Sequence, residues 1–134
     1  MSTQEVATMT TKDVANRFSE LAQKGAFDKI QDELFSEDAV SIEPDSVAAM
    51  GSPVVVKGLA GIKEKAKKFN EMVEEMHGGW TSQPVVGGDY FSVAMGMDVT
   101  MKGMGRMNMD EVCVYRVQDG MIVSEQFFFT PGKM

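Results

Sequence analysis

Apolar positions recur along this chain at two periods, and the change from one to the other falls near residue 77. Val14, Phe18, Leu21 and Ala22 lie at helical spacing, which predicts an amphipathic first helix. Thr10 followed three residues later by Asp13 has the form of a capping box, and Gly25 supplies a stop. Phe27, Ile30 and Leu34 mark a short second helix. Val40 and Ile42 then alternate with Ser41 and Glu43, the period of a strand, which Pro44 ends. Residues 44–57 read as a loop with Pro44, Gly51 and Pro53. Ile62, Ala66, Phe69, Val73 and Met76 return to the helical repeat and predict a longer third helix.

From His77 onward the chain reads as strand. Four runs, near 79–86, 89–101, 106–117 and 121–129, are separated by turn signals at Gly87-Gly88, Gly103-Met104-Gly105 and Asp119-Gly120. Connections this short predict an antiparallel meander. Two helices, a short strand, a third helix and four strands make an α+β chain with segregated layers. Residues 1–10 are polar and aperiodic, a loose lead-in to a single domain over 11–134. The strands carry apolar residues at both parities. Phe91, Val93, Met95, Met97 and Val99 share one face, while alternation leaves the faces of Val112, Val114 and Ile122 open. Three helices cannot cover two apolar faces, so the second is expected against another copy, in a homodimer.

Bulk properties narrow the function classes. A chain of 134 residues fits one domain with a core that needs no disulfide or metal staple. A net charge of −7 argues against nucleic acid, whose phosphates would be repelled. Lys63, Lys65, Lys67 and Lys68 are interleaved with Glu64, Glu71, Glu74 and Glu75, which reads as a solvated helix face. Cys113 is the single cysteine and fits a reducing compartment. No apolar run suits a signal peptide or a membrane span, so the expected location is the cytoplasm, with no membrane partner.

Several segments carry a resemblance. DVANRFSELAQKGAFDKI followed by LFSEDAVSIEP, then KGLAGIKE, and finally VYRVQDGMIVSEQFFF, resemble the nuclear transport factor 2-like superfamily, which includes SnoaL-like polyketide cyclases and ketosteroid isomerases. The resemblance covers about residues 11–130. It implies a strongly curved antiparallel sheet wrapped around the helices, enclosing a cone-shaped cavity. It does not imply an activity, because the superfamily holds isomerases, cyclases, dehydratases, hydrolases and non-catalytic binders. Glu43, before Pro44, matches the position of the isomerases' base. Phe18 stands where they have an oxyanion-hole tyrosine, and Cys113 where they have an oxyanion-hole aspartic acid. With both donors replaced, ketosteroid isomerisation is not expected, since enolate formation needs donors aimed at the developing oxyanion.

Candidate chemistry follows from these placements. Glu43, if turned into the cavity, would have its pKa raised by desolvation, as a general base requires; otherwise it is a rim carboxylate paired with Arg or Lys. His77, the only histidine, either exchanges protons near the cavity floor or caps the third helix. Glu111 and Glu125 share parity with Cys113 and Phe127, which the family pattern turns inward. They form an acid–base pair or satisfy Arg106, His77 or a tyrosine. Of the 13 methionines, six (Met95, Met97, Met101, Met104, Met107 and Met109) crowd the middle hairpin and suit either packing or an adaptable pocket. The ligand-lining set is Trp80, Met95, Met97, Glu111, Tyr115, Glu125, Phe127 and Phe129. One histidine and one cysteine are too few for zinc, and Gly103-Met104-Gly105 lacks the context of a phosphate loop, so neither metal nor cofactor is expected. The expected function is binding of a small apolar organic molecule, with isomerase, cyclase or lyase-type proton transfer. The alternative is a non-catalytic ligand-binding or protein-interaction module.

Overall fold

The computed structural model describes residues 8–130. Helix α1 spans Thr11–Gln23, and the capping box closes as the sequence predicts: the Thr10 hydroxyl accepts from the Asp13 N–H while the Asp13 carboxylate accepts from the Thr10 N–H. Helix α2 (Phe27–Leu34) is tied to α1 by Arg17, whose guanidinium grips both Glu33 oxygens at 2.5 and 2.8 Å. Strand β1 (Phe35–Ile42) follows without a loop. The segment expected to be wholly irregular holds a 3-10 turn, Asp45–Met50, and a three-residue strand β2, Val55–Lys57, paired with β1. Residues 1–7 of the expected lead-in lie outside the described residues. Thr8 and Met9 pack against Gly120 so closely that a Cβ there would meet the Thr8 methyl at 2.8 Å.

Helix α3 runs from Leu59 to Met72, shorter than its apolar repeat suggests. Val73 and Met76, expected on the helix, instead open strand β3 (Val73–Thr81) and face Met101 and Val99 of a neighbouring strand. Pairing to a long partner strand overrides the helical period, and β-branched Val73 suits the extended backbone. Strands β4 (Val85–Gly87), β5 (Tyr90–Met101), β6 (Gly105–Gln118) and β7 (Met121–Phe128) complete the sheet. Its order is β2-β1-β7-β6-β5-β3, with β4 also on β5. All pairs are antiparallel except β1 with β7, which is parallel. The α+β fold, with a curved sheet packed on helices, is as expected.

The core lies on the concave face. Phe18 of α1 meets Phe91 and Tyr115 with ring centroids 5.4 and 4.8 Å apart, and those two rings stack at 4.9 Å. Phe91, Val93, Val99, Cys113, Tyr115, Val117 and Ile122 are all buried, so these positions of β5, β6 and β7 face the helices. The other parity is the convex face, where Val112 and Phe128 are exposed and Arg106 holds Asp98 through two hydrogen bonds.

Candidate functional site

Cross-strand register brings polar groups into adjacent rows on the concave face. Ser41, Glu125, Tyr115 and Phe91 line up across β1, β7, β6 and β5. One rung further, Phe127, Cys113 and Val93 align, with Glu43 entering from the end of β1. Beyond them Glu111 lies opposite Met95, then Met109 opposite Met97, then Met107 opposite Val99. Polar residues on an inward face are costly unless partnered, and Ser41 and Glu43 are.

Lys65 of α3 supplies the partner. Its Nζ donates to Glu43 Oε2 at 2.7 Å and to Ser41 Oγ at 2.5 Å, and lies 5.1 Å from the centre of the Phe127 ring. Ser41, completely buried, lies across the strands from Glu125, whose carboxyl is raised above the ordinary glutamate range by burial, with the Ser41 hydroxyl and the Lys65 charge pulling it back. Burial pushes the Cys113 thiol and the Tyr115 hydroxyl well above their usual pKa. Glu111 is half-buried, forms no hydrogen bond or ion pair among the described residues, and is pushed up to about 7, first by burial, then by the charges of Glu43 and Glu125, with Lys65 pulling it down. A carboxyl with that value populates both protonation states at neutral pH, as an acid–base group requires.

The structure thus brings together Glu43, Glu111, Glu125, Tyr115 and Phe127, with Met95 and Met97 beside them. Glu43 takes the paired alternative, held by lysine. Tyr115 is 3% exposed and locked between Phe18 and Phe91, a core ring rather than an open pocket wall. Phe129 lies just past the end of β7 and is half-buried.

Two expected members stand elsewhere. Trp80 pairs with Gly96 on the convex face, its indole so close that a Cβ on Gly96 would fall 2.5 Å from Nε1. The run 79–86 fixed no parity for Trp80; the bulge between Met76 and Gly78 helps set it. His77 caps no helix, because α3 ends at Met72. Its ring reaches Thr100 Oγ1 at 2.7 Å and lies 3.7 Å from the Glu75 carboxylate, on the convex face with Asp98 and Arg106, apart from Glu43, Glu111 and Glu125.

Lys65 and Ser41 were missed. The interleaved charges suggest a solvated face for Lys65, yet it lies three residues after Ile62 and four before Phe69, on the stripe that α3 turns inward. In β1 the polar parity points in: Ala39 and Ser41 are buried while Val40 and Ile42 are half-exposed. Two surface depressions lie away from this chemistry. One of about 470 Å³ is lined by Thr8–Thr11 and the β6–β7 turn, and one of about 290 Å³ by Val85, Tyr90 and Val114. Among the described residues no group of three or more His, Cys, Asp or Glu is placed to hold a metal ion, and no helix is long and apolar enough to cross a membrane.

A sequence model of the SnoaL-like domain matches residues 9–129. The chain belongs to the SnoaL-like domain family. Among solved structures, a proposed SnoaL-like polyketide cyclase from Mesorhizobium loti is 33% identical over 90% of this chain and 100% of its own, with a TM-score of 0.81. A nuclear transport factor 2-like protein of unknown function from Burkholderia pseudomallei shares the fold at 17% identity, covering 91% of this chain and 92% of its own, TM-score 0.72. TerC, co-crystallised with polyporic acid, does so at 21% identity, over 87% and 92%, TM-score 0.68. No curated protein matches this SnoaL-like chain.

Proposed function

We propose that this SnoaL-like domain binds a small apolar organic molecule on its concave face and transfers a proton on it through Glu111, in cofactor-independent isomerase, cyclase or lyase-type chemistry. The observation that carries this reading is Glu111 itself: an inward carboxyl without a hydrogen-bonding partner among the described residues, pushed up to about 7. Half-buried Met95, Met97, Met107 and Met109 continue from it along two strands. From Met95 to Val99 that surface runs roughly 14 Å at about 3.4 Å per residue, and its thioethers adapt to varied shapes. The co-crystal of TerC with polyporic acid and the likeness to a proposed polyketide cyclase agree with a small organic ligand. In its ionised form Glu111 takes a proton from an activated carbon; in its protonated form it returns that proton to the same or a neighbouring atom.

A thermal-shift screen of hydrophobic carbonyl compounds, followed by solvent deuterium exchange into each binder, tests the reading. At about 100 Kd a ligand should stabilise the protein by about 2.7 kcal/mol. Glu111→Gln should keep binding neutral compounds and lose exchange. Binding without exchange in the wild-type protein supports the alternative, a non-catalytic binder, which the pairing of Lys65 with Glu43 and Ser41 also favours. Absence of any hydrophobic binder refutes both.

A further inference from the structure

We propose that Lys65 is the positioning residue of this site: from α3 it fastens Glu43 and Ser41 in place, leaving Glu111 as the carboxyl free to exchange a proton. The proposal deepens the reading of Glu111 as the acid–base group and rests on it.

The geometry is specific. Glu111 is faced by Glu43 from the end of β1, by Glu125 from β7, by Cys113 and Tyr115 along its own strand, and by Lys65 from α3. Lys65 is the one cation of this group, and the one member carried by a helix. The ammonium holds Glu43 directly at 2.7 Å and, at 2.5 Å, the hydroxyl of Ser41, the cross-strand neighbour of Glu125. The Lys65 and Glu43 side chains are 25% and 18% exposed, so water screens them only in part. Docking of α3 on the sheet therefore brings the counter-charge, and with it a fixed arrangement of the two neighbours whose charges act on Glu111. Without that ammonium, Glu43 is an uncompensated carboxylate beside a second one, and each additional negative charge makes ionisation of Glu111 harder.

Carbon-13 NMR titration of the glutamate side chains in the full-length protein tests this without needing a substrate. The wild-type Glu111 signal should titrate near 7. Lys65→Met should raise that midpoint by about one pH unit or more, and Lys65→Arg, which keeps the charge, should restore it to within about half a unit. Glu43→Gln supplies the same test from the other side and leaves Lys65 intact: the Glu111 midpoint should fall. If Lys65→Met does not fold, this variant decides. A Glu111 midpoint that Lys65→Met or Glu43→Gln leaves unmoved overturns the role of Lys65. A wild-type midpoint in the ordinary glutamate range overturns the reading of Glu111 itself, so the two failures are distinct.

Discussion

If Glu111 is held protonated by its surroundings, the stability of the whole protein must depend on pH in a direction opposite to that of most carboxylates. The ordinary glutamate value is 4.5, and Glu111 in the fold sits at about 7. Between those values the unfolded chain has lost the proton and the folded chain keeps it. The folded state thus binds more protons, and stability falls as pH rises across this window, levelling off above 7. A displacement of that size corresponds to about 3 kcal/mol, or roughly 10 °C in Tm for a chain of this length. Glu125, also raised by burial, adds to the same slope. Asp13, Glu33 and Asp98 act oppositely: hydrogen bonds from Thr10, Arg17 and Arg106, respectively, lower their values, so their contribution is present above the unfolded carboxylate range and is lost as pH falls below it. Urea denaturation from pH 4.5 to 8.5 should show a maximum near the acid end. Glu111→Gln, a neutral isostere of the protonated acid, should match the wild type near pH 5 and exceed it by about 3 kcal/mol at pH 8, with a smaller residual slope from Glu125. A flat wild-type profile between pH 5 and 8, with Glu111→Gln no more stable at pH 8, refutes the argument.

Three further outcomes are expected. Thr10→Ala removes half of the capping box and should cost about 1 kcal/mol, read as a Tm loss of a few degrees; an unchanged Tm would mean that α1 is held by tertiary packing alone. Gly96→Ala drives a methyl into the Trp80 indole and the Asp110 carboxylate, so it should cost about 1–3 kcal/mol and shift tryptophan emission, and unchanged emission with unchanged Tm would contradict the placement of Trp80 on the convex face. The exposed Trp80, Val112 and Phe128 of that face support the proposed homodimer, which sedimentation at micromolar concentration should detect and Val114→Lys should weaken; a 14.7 kDa species throughout would refute it.

The fold was legible because its signals are local and redundant. Thr10 and Asp13 announce a helix start, Asp119-Gly120 and Gly103-Met104-Gly105 announce hairpins, and the alternation through Phe91, Val93 and Val99 fixes one inward face. Errors fall where a partner far along the chain overrules a local period. Met76 continues the helical repeat of Ile62 and Phe69, yet its register with Val99 places it in β3. Val55–Lys57 is too short to announce itself, and exists because β1 offers a free edge.

The site was harder to read for a reason built into its chemistry. A functional carboxyl must sit on the inward face, where alternation predicts an apolar residue, so the period that reveals strands misreads the strand that matters. In β1 the apolar residues Val40 and Ile42 give the same alternation whichever face they occupy; the structure turns them aside and buries Ser41 instead. Glu111 and Glu125 could be turned inward from the sequence only by sharing parity with Cys113 and Phe127, and nothing local states which inward carboxyl is partnered. That distinction depends on Lys65, which is 46 residues before Glu111 and looks, by composition, like one of four surface lysines. Its long apolar stem lets the charge reach from the helix stripe to the sheet, so an inward lysine leaves the same sequence trace as a solvated one. What separates them is position relative to Ile62 and Phe69, and a charged residue on the apolar stripe of a helix that packs over inward carboxyls is a placement that sequence can expose.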